Sequence, residues 1–149
     1  DVLFLRNDPS HEPSSRAWAR SIGIHFGRLA AKHGVIVVND PSGLSNASNK
    51  MYFQQFPETI RPKSLITRDR EELKKFAKKY KKIILKPLLG SGGKNVFFAS
   101  RTQSGNMNQM IDAVSRDGYV VVQEFLPKAE EGDIRLFLMN GQPLKYKGK

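Results

Sequence analysis

The chain has 149 residues, 39% of them hydrophobic, with no cysteine and a formal net charge of +11. That length allows one ordinary domain or pieces of two, and the lack of cysteine excludes disulfides, thiolate metal sites and cysteine nucleophiles. No apolar run approaches the roughly 18 residues a membrane span needs, and the positive balance favours anionic partners: nucleic acid, an acidic membrane surface or phosphorylated small molecules.

DVLFL (1–5) reads as a strand beginning at the first residue, which suggests a start in the middle of a domain. No basic segment with a long apolar stretch follows, so a signal peptide is not expected and a cytoplasmic protein is the default. SSRAWARSIGIHFGRLAAKHG (14–34) reads as a helix with Trp18, Ile22, His25, Phe26 and Leu29 on one face. Ser14 or Ser15 can cap it, Gly34 can end it, and His25 is expected in the core. VIVV (35–38) has the pattern of a buried strand. Strand, helix, strand is a βαβ unit and implies a parallel sheet. NDPSGLSN (39–46) is turn chemistry, and a short helix capped by Asn46 is expected over about 47–56.

Pro57 and Pro62 bracket a linker, and KSLIT (63–67) reads as a strand. Asp69, with Glu72 three residues on, forms a capping box for a helix whose apolar stripe is Leu73, Phe76, Ala77 and Tyr80. Much of the positive charge sits in KKFAKKYKK (74–82), which reads as a solvated helix face. Acids lead and lysines trail, as the helix dipole prefers. IILK (83–86) and NVFFAS (95–100) are strands joined by a glycine turn, hence antiparallel neighbours. Residues 105–117 read as a helix with Met107, Met110, Ile111 and Val114 on one face, and YVVVQ (119–123) as a strand. DIRLFLM (133–139) and QPLKYK (142–147), joined by Asn140-Gly141, form a hairpin with the strongest short turn signal.

The stretch ILKPLLGSGGKNVFF (84–98) bears the chemistry. Glycines beside a lysine point to phosphate, yet the familiar loops do not fit. A Walker A loop needs a hydroxyl residue where Asn95 stands, and a helix after it. The Rossmann fingerprint needs glycine there and also a helix. A kinase loop lies between strands, but it too wants glycine at 95, and no kinase catalytic-loop motif is present. Lys86 ends an apolar strand, where burial is costly unless it meets an anion. Gln123-Glu124-Phe125-Leu126 forms a strand-to-loop hinge able to offer backbone hydrogen bonds and a carboxylate to adenine and ribose. Asp133 and Arg135 share one face of the next strand, where an arginine can hold a phosphoryl oxygen or an acylphosphate.

These parts, in this order, resemble the ATP-grasp ligases. NDPSGLSNASNKMYFQQFPETIRPKSLITRDREELKKF, IILKPLLGSGGKNVFF and VVQEFLPKAEEGDIRLFLMNGQPL are similar to successive blocks of bacterial glutathione synthetase, and LRNDP (5–9) to the end of that family's N-terminal domain strand. The resemblance covers nearly the whole chain and is weakest at 101–118. Ribosomal-protein glutamate ligases share the lysines and the hinge and are the nearest competitors. The Asn49-Lys50 block and the ILKP-x-x-G-x-GG form favour glutathione synthetase.

The resemblance implies an α/β (α+β ATP-grasp) fold. Residues 1–44 would be the C-terminal part of a parallel-sheet N-terminal domain. Residues 45–62 would be a linker with the first nucleotide lysine. Residues 63–126 would form an antiparallel-sheet-plus-helices ATP-grasp lid, and 127–149 the start of the second ATP-grasp subdomain. It implies that Lys50 and Lys86 are the two nucleotide lysines, Lys86 on the α/β phosphates. Gly90, Ser91, Gly92 and Gly93 would form the loop closing over the phosphates, and Gln123, Glu124, Phe125 and Leu126 the adenine hinge. Asp133 and Arg135 would lie near the phosphates, with Arg135 catalytic. Arg6 and Asp8 would help form the peptide-substrate side or pair on the surface. The implied reaction joins γ-glutamylcysteine to glycine through an acylphosphate, with ATP and Mg²⁺ as cofactors and ADP and phosphate released. No metal ligand is assigned within the chain; the Mg²⁺ acids and an arginine-rich substrate segment belong to sequence beyond residue 149. The expectation is therefore a central fragment, inactive alone, of an enzyme that is a homo-oligomer at full length, with no membrane partner and no nucleic acid. The alternatives are another ATP-grasp peptide ligase, a basic nucleic-acid-binding module using residues 74–82 and 145–149, and a scaffold that no longer binds nucleotide.

Overall fold

The computed structural model describes residues 1–6, 8, 12–90, 92–100, 106–116 and 118–146. Strands β1 (Val2–Phe4) and β2 (Ile36–Val38) pair in parallel, Val2 opposite Ile36 and Phe4 opposite Val38, with helix α1 (Ile22–Lys32) as their crossover. This is the βαβ unit the sequence predicts. The first part of the predicted helix, Ser14–Ser21, is 3-10 rather than α and is interrupted at Arg16 (φ −118°, ψ 29°). It starts after Pro13, which occupies the cap position and makes no side-chain cap hydrogen bond; the Ser14 side chain lies outside what is described, and Ser15 falls inside the helix.

The expected apolar face of the 14–34 segment does not make a core. Trp18, Phe26 and Leu29 are 65%, 60% and 52% exposed, and His25 is exposed with them, contrary to its expected burial. The side of α1 that packs is its smallest: Gly27 is buried, and a Cβ there would lie 2.6 Å from Leu5 Cδ1 and 2.9 Å from Pro41 Cγ. Glycine is what lets α1 approach β1 and the next helix so closely.

That next helix is a second departure. Residues 39–46, expected as a turn, contain α2 (Pro41–Asn46), with the Asp40 carboxylate accepting from the Gly43 N–H at 2.5 Å. Asp-Pro is a start signal, the acid as N-cap and proline at the first helical position, where its missing N–H costs nothing. The helix expected near 47–56 is instead a 3-10 turn, Lys50–Gln55, capped by Asn49 through Met51 N–H (2.8 Å) and not by Asn46.

The four-stranded sheet runs β3 (Ser64–Thr67), β6 (Val120–Glu124), β4 (Lys82–Pro87), β5 (Phe97–Ser100), antiparallel throughout. Helices α3 (Arg70–Tyr80) and α4 (Met107–Val114) cover one face. Leu73 from α3 and Ile111 and Val114 from α4 meet Ile83, Leu85, Val120 and Val122 in one buried cluster, with Phe76, Tyr80, Met107 and Met110 packed against it. Period-2 alternation sends the other residues of β4 and β6 to the opposite face. Ile84, Lys86 and Gln123 there are half-buried.

Helix α3 forms half of its expected capping box. The Asp69 carboxylate accepts from Glu71 N–H (2.7 Å) and Glu72 N–H (3.3 Å). Glu72 reaches forward to Lys75 (3.1 Å) instead of back, and the Asp69 N–H donates to Thr67 Oγ1 (3.0 Å). Asp69→Ala is expected to cost about 1 kcal/mol in chemical denaturation, as N-cap losses do, whereas Glu72→Ala should be close to neutral.

The C-terminal hairpin is shorter than predicted. Pairing is limited to β7 (Leu138–Met139) and β8 (Gln142–Pro143) around Asn140-Gly141. Residues 133–137 belong to no strand, and Ile134 is 99% exposed. An isolated two-stranded hairpin with neither face covered is marginal in water.

Candidate functional site

The uncovered face of the four-stranded sheet forms one wall of a cavity of about 470 Å³. Ser64, Lys86, Val121 and Gln123 line the sheet side. Phe53 and Ile60, on the 3-10 turns Lys50–Gln55 and Glu58–Ile60, and Phe56 and Pro62, which follow them, line the other. Lys50 and Arg61 complete it.

Lys86 emerges from β4 onto this face because Leu85 beside it points into the core. Its Nζ donates to Gln123 Oε1 at 2.5 Å, and burial pushes its pKa below the ordinary 10.5. Lys50 reaches the site from another element. Its backbone N–H donates to the Leu88 carbonyl (3.2 Å), and its Nζ donates to the carbonyls of Leu89 (3.2 Å) and Gly90 (2.8 Å). Burial lowers its pKa first, and the like charge of Lys86 lowers it further. No carboxylate acts on either amine among the described residues. Two ammonium groups held together without a counter-charge favour an anion.

The glycine turn stands beside them. Gly90, Gly92 and Gly93 have φ of +100°, +64° and +73°, and Asn95 of +56°. A Cβ at any of the three glycines would meet nothing within 4 Å, so the backbone conformation, not crowding, selects glycine. Ser91 lies outside the described residues, as do Asn7, Pro9 and the segment 101–105.

Of the hinge residues, Gln123 lines the cavity and holds Lys86. Glu124 is engaged within the sheet: its Oε1 accepts from the Lys63 N–H (2.7 Å) and its own N–H donates to the Lys63 carbonyl (2.9 Å). The Phe125 N–H donates to the Lys82 carbonyl (3.1 Å), and its ring meets Phe98 edge-on at 5.0 Å. The Leu126 carbonyl accepts from Ala129 (3.0 Å). Asp133 and Arg135 sit on the exposed segment after Gly132 and do not line the cavity, nor do the exposed Arg6 and Asp8.

The structure thus brings Lys50, Lys86, Gly90 and Gln123 together and leaves Asp133 and Arg135 apart from them. Sequence reasoning missed the far wall, reading 57–62 as a linker. A signal was present: Tyr52, Phe53 and Phe56 close behind Lys50 are more aromatic surface than a solvated linker needs. Among the described residues no group of three or more histidine, aspartate or glutamate side chains could hold a metal ion. No helix among them is long and apolar enough to cross a membrane.

Comparison with known proteins identifies the family. The family described as prokaryotic glutathione synthetase, ATP-grasp domain, matches residues 49–147. The glutathione synthetase of Thermosynechococcus vestitus is 41% identical over 147 residues, covering 96% of this chain and 43% of the relative. That of Agrobacterium fabrum is 36% identical over 146 residues, covering 97% and 43%. The chain thus spans less than half the length of these relatives. Among solved structures, the ATP-grasp ligase PsnB complexed with a minimal precursor superposes with a TM-score of 0.54 at 20% identity, over 84% of this chain and 44% of that one. That likeness bears on the fold, and the fold is ATP-grasp. With a family match over 49–147, about two thirds of its length, the chain belongs to the prokaryotic glutathione synthetase ATP-grasp family.

Proposed function

We propose that this chain supplies nucleotide-binding groups of an ATP-dependent carboxylate–amine ligase of the glutathione synthase type. One observation carries the reading: Lys50 and Lys86, from separate elements, converge on one cavity beside the glycine turn, with no counter-charge on them among the described residues. Lys86 and Lys50 take phosphate oxygens in this proposal. Gly90, Ser91, Gly92 and Gly93 close over them, their backbone N–H groups able to approach oxygen closely. Gln123 orients Lys86, and 124–126 form the edge against which the base lies. Asp133 and Arg135 are assigned to the phosphoryl-transfer end, which requires residues 132–137 to pack closer than they do here.

The γ-phosphoryl group of ATP passes to the cysteinyl carboxylate of γ-glutamylcysteine, leaving ADP. The amine of glycine attacks the acylphosphate carbon, the C–N bond forms, phosphate departs, and the amine gives up a proton. Positioning and charge neutralisation supply most of the catalysis, which suits a site without a side-chain nucleophile. Mg²⁺ enters as the partner of ATP. The same reading divides the chain at 44, 62 and 126, the change from a parallel to an antiparallel sheet between residues 38 and 64 supporting a division in that interval only, and it has the enzyme in the cytoplasm as a homo-oligomer.

The test is a graft. This chain replaces the matching segment of the Thermosynechococcus glutathione synthetase, and glutathione, ADP and phosphate are measured. Formation of all three in step from γ-glutamylcysteine, glycine and Mg-ATP, lost when Lys86 becomes alanine, is the expected result. A folded graft that binds Mg-ATP but makes no glutathione would refute the substrate assignment.

A further inference from the structure

Arg61 borders the same cavity, yet its Nε and Nη1 donors are spent on the protein. The side chain is 18% exposed. Its Nε–H donates to the Phe56 carbonyl (3.0 Å), and Nη1 donates to Gln54 Oε1 (2.9 Å) and Ser64 Oγ (3.4 Å). Gln54 Nε2 donates to the same Ser64 Oγ (2.9 Å) and closes the ring. Nη2 stands 3.9 Å from Glu58 Oε1, while Lys63 holds the other oxygen of that carboxylate at 2.8 Å. One planar fork therefore ties the turn carrying Phe53 and Phe56 to the first residue of β3.

What the tie holds has little packing of its own. Phe53 and Phe56 are 52% and 40% exposed, supported by Tyr52 at ring distances of 6.3 and 5.3 Å. Short 3-10 turns have poor internal hydrogen-bond geometry and do not fix their own orientation. The two rings nevertheless stand across the cavity from Val121 and Gln123. The amines serve the phosphates; an aromatic wall suits the flat, largely apolar part of a nucleotide.

We propose that Arg61 is a positioning residue: through Gln54, Phe56 and Ser64 it sets the aromatic wall at the spacing a nucleobase needs, and so governs affinity for the base and not for the phosphates. This rests on the reading of the cavity as an ATP site. Lysine at position 61 keeps the charge but cannot bridge three acceptors, because only the guanidinium presents a rigid planar fork.

The experiment is calorimetric titration of Mg-ATP and, separately, Mg-tripolyphosphate into the wild-type chain, Arg61→Lys and Lys86→Ala, with thermal unfolding of each. Arg61→Lys is expected to lose about tenfold in affinity for Mg-ATP, the effect of losing charge-assisted hydrogen bonds, and to bind tripolyphosphate as the wild type does. Unchanged ATP affinity, or an equal loss for both ligands, would overturn the proposal. If Arg61→Lys does not fold, Gln54→Ala decides: it leaves Arg61 in place and should weaken ATP binding alone, and an equal loss for both ligands counts against the role. Wild-type protein that binds neither ligand would bring down the ATP reading together with this one. ATP binding that depends on Lys86 but not on Arg61 would bring down this one alone.

Discussion

Replacing Lys86 with alanine is expected to weaken Mg-ATP binding at least tenfold, about 1.5–3 kcal/mol, because a charged phosphate contact is lost from a partly desolvated site. The same lysine should be a burden to the empty protein. Burial lowers its folded pKa below 10.5. Between that lowered value and 10.5 the unfolded chain therefore binds more protons than the folded one, and stability rises with pH across the window. Below the window the buried ammonium costs stability in full. Lys50 adds to the effect in the same direction, through burial and through repulsion by Lys86. Lys86→Met keeps the apolar stem and removes the charge. It should unfold at a higher temperature than the wild type at pH 7 and show a flatter rise toward pH 10. Gln123 loses a donor, but it is only half-buried and water can replace it. A lower midpoint for Lys86→Met, or undiminished ATP affinity for Lys86→Ala, would count against Lys86 as an anion-binding residue held at a cost to stability.

Leu85→Ala should have the largest effect on stability, about 2–5 kcal/mol, as for other buried leucines. Leu85 is 0% exposed and lies in β4, between β6 and β5, opposite Val122 on one side and Phe97 on the other. The space it leaves is lined by strands on both sides and by the helices above, so little can collapse into it. The midpoint of urea unfolding should fall with an unchanged slope, the signature of lost stability without a changed unfolded state. The pairing that seats Leu85 also puts Lys86 opposite Val121 and Ile84 opposite Gln123, so the core and the site share one register. Substituting Ile134, which is almost wholly exposed, should change stability by less than about 0.5 kcal/mol. A Leu85→Ala loss below about 1 kcal/mol would mean that the sheet is not the centre of the fold.

Much of this was legible in the sequence because its local signals agree with one another. Asp69 with the stripe Leu73, Phe76, Ala77 and Tyr80 specifies α3 and the face it buries. The alternation in IILK puts Lys86 opposite the core side of β4. The same stripe weakens the nucleic-acid reading: Phe76 and Tyr80 pack on the core with ring centroids 4.4 Å apart, and Lys74 and Lys75 pair with Glu71 and Glu72. Other features lay beyond local reasoning. The face bearing Trp18 before α1 and Phe26 and Leu29 on it has a helical period, but periodicity does not say what covers a face, and in this chain the packing contact is Gly27. The α2 start was written in Asp40-Pro41 and hidden by the turn-like composition around it. The Arg61 network joins residues three to ten positions apart through side-chain geometry, which no spacing rule encodes.

The most direct test is a crystal structure of this chain with Mg²⁺ and the non-hydrolysable ATP analogue AMPPNP. The account predicts phosphate oxygens within hydrogen-bonding distance of both Lys50 Nζ and Lys86 Nζ, under the glycine turn, with the base against Phe53 and Phe56. Nucleotide bound instead along the lysines of α3, or phosphates out of reach of Lys86, would contradict it.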